Sequence, residues 1–153
     1  MKDKFLVGFI AGVIGAIVTA IVSVPLYMLK LNKLLLLDYA NILISGKKTQ
    51  SAIGYIFGTL IHWGFSGAAG VLFAYLVNHK LLTNKNLWIK GWTFGLGLWF
   101  IINIITTIFN VEGLTVIPVG TAIINALASS LFGIVMALMF NWLNNMKNAK
   151  IRS

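Results

Sequence analysis

The sequence predicts an all-α membrane protein, a bundle of four transmembrane helices with an amphipathic interfacial helix between the first and second. Three observations carry this expectation. Of 153 residues, 59% are hydrophobic and only 10% charged, with a mean hydropathy of +0.92, whereas soluble domains carry about 25% charged residues. Four apolar runs are each long enough for a hydrocarbon core of about 30 Å, which takes roughly 20 helical residues. The basic residues gather at the ends of these runs rather than within them, as topology signals do.

The first run, 5–28, follows Met1-Lys2-Asp3-Lys4 and superficially looks like a signal peptide. It is longer than an h-region of about 7–15 residues, and no small-x-small cleavage site follows it. It is therefore expected to remain as the first span, loosened near its end by Pro25. The connection from Lys30 to Ser51 contains an apolar stretch, 31–45, too short to cross a bilayer. At 100° per residue Lys30, Lys33, Asp38, Asn41, Ser45 and Lys48 fall on one side, which predicts a helix lying in the interface with its polar face toward the headgroups. The remaining spans are expected at 52–77, 88–109 and 116–143, with Pro118 in the opening turn of the last. The whole of 1–153 reads as one integral membrane domain.

Charge sets the expected orientation. With a cytoplasmic N-terminus the inner side holds Lys2, Lys4, Lys80, Lys85, Lys90, Lys147, Lys150 and Arg152, and the outer side Lys30, Lys33, Lys47 and Lys48. Eight against four favours a cell-membrane protein with both termini cytoplasmic. The formal net charge of +9 is thus a matter of topology and anionic headgroups, and no nucleic-acid partner is expected.

Small residues recur every fourth position. The second span carries Gly54, Gly58, His62, Ser66, Gly70 and Ala74, the third Gly91 and Gly95, the fourth Ser129, Gly133 and Ala137. In lipid such rows let helix backbones approach closely, where no hydrophobic effect drives association. The glycines of the first span (Gly8, Gly12, Gly15) and third span (Gly91, Gly95, Gly97) also echo one another, as two repeated hairpins would.

Hydrogen-bonding side chains sit in the outer half of every span: Thr19 and Ser23, His62, Asn103 with Thr106 and Thr107, and Asn125. At about 1.5 Å per residue His62 lies roughly 15 Å from the outer end of its helix. Unpaired polar groups in lipid cost several kcal/mol, so these residues are expected to face inward and find one another. Two readings follow. The cluster is either a set of interhelical hydrogen bonds that fixes register, or the lining of an outward-facing pocket in which His62 binds a ligand or relays a proton.

Catalytic chemistry has little to stand on. Only Asp3, Asp38 and Glu112 are acidic and none lies in a span, so paired-carboxylate catalysis is unsupported. Cysteine is absent, His62 and His79 are too far apart to share a metal, and the Gly91–Gly97 stretch follows no strand. No cofactor or metal is expected. Trp88, Trp92 and Trp142 read as anchors at one boundary and Tyr27 and Tyr55 at the other, with Trp63 and Trp99 packed between helices.

The motif Gly58-x-x-x-His62, the Phe73-Ala74-Tyr75 close of the second span and the Leu87-Trp88-x-Lys90-Gly91-Trp92-x-Phe94-Gly95-x-x-Leu98-Trp99 opening of the third have a familiar layout. From Gly54 to Leu143 the chain resembles uncharacterised four-span bacterial membrane proteins of the YqhR and YagU sort. The resemblance implies a four-helix inner-membrane architecture and no functional residue. The expected function is non-enzymatic helix association, as a homo-oligomer or an accessory subunit of a membrane complex. The alternative is a small transporter or channel with a polar pocket around His62.

Overall fold

The computed structural model describes residues 4–48, 51–83 and 85–149. Lys2, Lys150 and Arg152, which entered the orientation argument, lie outside them, as does the side chain of Lys147. Among the described residues there are five α-helices and no strand: α1 Lys4–Met28, α2 Leu36–Ser45, α3 Ala52–Asn78, α4 Leu87–Ile108 and α5 Val119–Ala149. By length and composition α1, α3, α4 and α5 can each cross a membrane, which makes this a multi-pass membrane protein, and α2 is a short apolar helix between the first two spans.

Two boundaries differ from expectation. α5 starts at Val119 rather than 116 because Pro118 precedes the helix, its carbonyl accepting from Ala122 N–H at 3.0 Å. α2 is ten residues long rather than the expected 31–45. Lys30 adopts a left-handed conformation (φ 59°), and Leu31 and Asn32 N–H groups both turn back to the Leu26 carbonyl. The chain is thereby committed to the end of α1 and cannot start a new helix until Leu36. Lys80 and Asn110, both also at positive φ, end α3 and α4 in the same way.

Packing follows the small residues. At Gly8 and Gly12 an added Cβ would meet the backbone of Gly70, Val71 and Ser66, and at Gly70 the backbone of Gly8 and Gly12. α1 and α3 therefore touch backbone to backbone. α4 and α5 do the same, Gly91 and Gly95 lying against Ser129 and Gly133. The two pairs use one pattern: a Gly-x-x-x-Gly on the first helix meets a Ser-x-x-x-Gly-x-x-x-Ala on the second, Ser66/Gly70/Ala74 in one pair and Ser129/Gly133/Ala137 in the other. The echo between the first and third spans is thus half of a repeat in which α1–α3 corresponds to α4–α5.

The halves join through α1 and α5, where Gly15 lies against Phe132 and Met136. Around this seam runs the main core, with Phe73, Phe140, Met136 and Ala11 fully enclosed and Phe73 edge-on to both Phe94 and Phe140. A smaller core of Leu34, Tyr39, Ile42 and Leu114 closes the end of the bundle where α2 lies. Exchanging the two halves maps the α1–α5 contact onto α4–α3. There the symmetry is broken: α3 and α4 meet through Phe73 and Phe94 but share no close backbone approach of the kind that Gly15 gives α1 and α5.

Gly133→Leu would drive a side chain into the backbone of Gly91 and Gly95. We expect a loss of about 1–3 kcal/mol or more in the unfolding equilibrium in detergent, while Gly64→Leu, at a position with no neighbour within 4 Å, changes it by less than about 0.5 kcal/mol.

Candidate functional site: a cleft between α3 and α4

The gap between α3 and α4 is a cleft of about 250 Å³. Ile61, His62, Phe65 and Ser66 of α3 form one wall and Gly95, Leu98, Trp99 and Ile102 of α4 the other, with Ser129 and Phe132 of α5 as the floor. Residues of α2, among them Tyr39, Ala40 and Leu43, roof it. The walls are almost wholly apolar, and no charged residue lines them. Three polar groups belong to the residues around it, two of them buried away from its space. The imidazole of His62 makes no hydrogen bond to any described residue. The indole Nε1–H of Trp99 is buried without an acceptor. The Tyr39 hydroxyl lies beside Asn125 but completes no hydrogen bond. Burial pushes the Tyr39 pKa up, against an opposing influence of Asn125, so this group stays a neutral hydroxyl.

The roof is held from outside the cleft. Asp38, fully buried, accepts from its own helix start through Leu35 N–H (2.8 Å) and from Lys48 Nζ (3.1 Å), both at Oδ2. The same ammonium donates to the Tyr27 hydroxyl at 3.1 Å and the Lys33 carbonyl at 2.9 Å, and stands 4.7 Å from the Tyr27 ring centre. One lysine thus ties the end of α1, the 29–35 segment and α2 together. A second set of bonds runs from that segment to α5. Asn32 Nδ2 donates to Asn125 Oδ1 at 3.0 Å, Asn125 Nδ2 to the Leu34 carbonyl at 3.1 Å, and Lys33 N–H to Thr121 Oγ1 at 3.1 Å.

This arrangement departs from the expected face of α2 at two positions, while Lys30, Lys33 and Ser45 stay outside and Tyr39 and Ile42 are buried. Asp38 and Asn41 point into the protein, while Leu43 and Ile44 are 48% and 58% exposed. Locally, Asp38 Oδ2 keeps a cation and a backbone amide partner inside while Oδ1 has none, and the absent Cβ of Gly58 lets the Asn41 amide lie against α3, where it donates to the Gly54 carbonyl at 3.2 Å.

The expected polar cluster separates into three groups. Thr19, Ser23 and His62 come together around a void of about 20 Å³ beside α1, although Thr19 Oγ1 donates to its own helix at the Gly15 carbonyl, 2.8 Å. Asn103 donates to the Trp99 carbonyl (2.7 Å) and Thr106 to the Asn103 carbonyl (3.0 Å), so both are satisfied within α4. Asn125 belongs to the α2 end. The nearest acceptor for a short polar side chain in a helix is the carbonyl one turn back, which competes well with any partner across the bundle. The row on α3 divides likewise: Gly58 faces α2, His62 faces the cleft, and Ser66 and Gly70 face α1. Residues four apart drift about 40° around a helix at each step, so one row meets three neighbours.

Sequence reasoning missed the cleft, the Asp38–Lys48 clasp and the role of Asn32. A signal for the clasp existed: Asp38 is the single acid among four lysines in an apolar connection. Compared with models of known protein families, with curated proteins and with solved structures, the chain matches none.

Lys48→Met leaves the Asp38 carboxylate buried without its cation and should loosen α2 more than the double variant Asp38→Asn/Lys48→Met, which removes both charges; protease susceptibility of 29–51 reads the difference. Desolvation acts to lower the Lys48 pKa, but hydrogen bonds to Tyr27 and Asp38 and the charge of Asp38 outweigh it, leaving the value above the ordinary 10.5. A raised lysine pKa contributes stability that is fully present below the unfolded value and lost as pH rises through the folded one. Protection of this segment should therefore hold across neutral pH and fall only above about 10.5.

Proposed function

We propose that this protein binds a small apolar or amphipathic molecule dissolved in the bilayer, admitted sideways between α3 and α4, and carries or presents it without covalent chemistry. The observation behind this reading is that between the Phe73–Phe94 contact and α2 the two helices leave a roofed apolar cleft. Concave, mostly apolar sites with a few converging polar groups are the usual form of small-molecule sites. In a membrane protein an opening between two spans faces hydrocarbon. The lysine distribution supports a reading with α2 at the outer surface and both termini in the cytoplasm, in which the ligand is taken from the outer leaflet of the cell membrane.

The expected function, helix association with a second copy or another membrane protein, is not the reading favoured here, because the small residues that suggested it are used within the bundle. Gly8, Gly12, Ser66, Gly70, Gly91, Gly95 and Gly133 are all engaged within the chain. A pocket around His62 survives in altered form: it is apolar rather than polar, which changes the ligand class from ions and solutes to lipid-soluble molecules.

The test is photolabelling in membranes with a phospholipid bearing a diazirine on its acyl chain, followed by mass mapping of the labelled peptides. Label should concentrate on the cleft segments 61–66 and 95–102, and Ala40→Phe, which fills the roof, should reduce it several-fold. Label spread evenly over lipid-facing positions such as Ile53 and Phe100, and unmoved by Ala40→Phe, would contradict the proposal.

A further inference from the structure

The internal repeat shows which side chains hold the cleft open. Its register is fixed by the backbone contacts: Gly8 and Gly12 of α1 correspond to Gly91 and Gly95 of α4, and Ser66, Gly70 and Ala74 of α3 to Ser129, Gly133 and Ala137 of α5. Carried along the helices, the same register matches Ala11, Gly15 and Ala16 of α1 with Phe94, Leu98 and Trp99 of α4. On α1 all three are small and buried, Ala11 and Ala16 in the main core and Gly15 against Phe132 and Met136 of α5. On α4 all three are large and only partly buried.

The partner helices follow suit. Phe132 and Met136 of α5 correspond to Ala69 and Phe73 of α3, and Ala128 to Phe65. Away from α2 the exchange is balanced, since Ala69 is small where Phe132 is large, and there Phe73 meets Phe94 edge-on with ring centres 5.4 Å apart. Nearer α2 nothing is given back. Trp99 stands in place of Ala16 on one wall and Phe65 in place of Ala128 on the other, and this is the level at which the cleft opens. The bulk at a helix contact sets how near the axes come, over a range of about 8–10 Å. In lipid, close approach is open only to small residues, and no hydrophobic force draws two large faces together.

We propose that Phe65, Leu98 and Trp99 are the spacers of the cleft: they hold α3 off α4 at the place where α1 and α5 close, and so determine which apolar molecules enter. The spacing is a property of the helices alone, while the selection of a ligand by it rests on the binding function proposed above.

The residues of the closed seam can be transplanted to test this. Leu98→Gly/Trp99→Ala gives the α4 wall the residues of α1, and Phe65→Ala gives α3 the residue of α5. Nitroxides at Leu60→Cys and Ile101→Cys, positions 60% and 52% exposed, report the α3–α4 separation in bilayers through their dipolar broadening. Both variants are expected to shorten it, the double variant by about 2 Å, and to lower acyl-chain photolabel on 61–66 several-fold. An unchanged or longer separation overturns the proposal whatever the label does, because these side chains would then merely line a gap that other contacts hold open. Phe65 is half exposed, so its truncation decides the matter even where the double variant fails to fold. A shortened separation in a protein whose unaltered form shows no concentrated label upholds the spacers and removes the binding function.

Discussion

Helices in lipid associate only where their backbones can meet, because the surrounding tails are as apolar as the side chains. Everything else in this bundle depends on where the chain places its small residues. They form two faces, Gly8/Gly12 against Ser66/Gly70 and Gly91/Gly95 against Ser129/Gly133, and each face joins two helices tightly. Gly15 and the aromatic core around Phe132 and Phe140 then join the pairs along one side. On the other side the facing residues of α3 and α4 include Ile61, Phe65, Leu98, Trp99 and Ile102. These are large, while Ser66 and Gly70 of α3 lie against α1 and Gly91 and Gly95 of α4 against α5. The cleft is a consequence of that allocation.

A lateral opening in a membrane protein still needs an end that keeps water out. α2 serves as that end, and its attachment is polar where its exposed surface is apolar. The Asp38 carboxylate anchors the helix start and receives Lys48, which also reaches Tyr27 and the Lys33 carbonyl. Asn32 and Asn125 fasten the preceding segment to α5. The bonds that a soluble protein would leave at its surface are here turned inward. The roof is therefore positioned by directional contacts, which sets its height over the cleft more tightly than apolar packing alone would.

The sequence made the architecture legible for physical reasons. Span length and composition are collective properties of twenty residues, and the small-residue rows needed only a four-residue period to be seen. Which helix each row met was harder, since the drift of a four-residue row carries Gly58, His62 and Ser66 to three different neighbours. Two positions on the expected polar face of α2, Asp38 and Asn41, were misread because the helical wheel assumes water outside. Asp38 and Asn41 go inward once a cation and a carbonyl are available there. The polar cluster dissolved because Asn103 and Thr106 have acceptors within their own helix. His62 kept Thr19 and Ser23 beside it, whereas Asn103 and Asn125 lie elsewhere.

The central claim is that the space between α3 and α4 is open to hydrocarbon and closed to water. The chain lacks cysteine, so a nitroxide can be placed at Leu98→Cys on the α4 wall and its relaxation measured in bilayers. Strong acceleration by oxygen, which concentrates in the hydrocarbon, with little effect of a water-soluble nickel chelate, is the predicted result. Acceleration by the chelate would mean an aqueous pathway, and protection from both would mean that α3 and α4 pack together in the membrane. Either outcome would contradict the account.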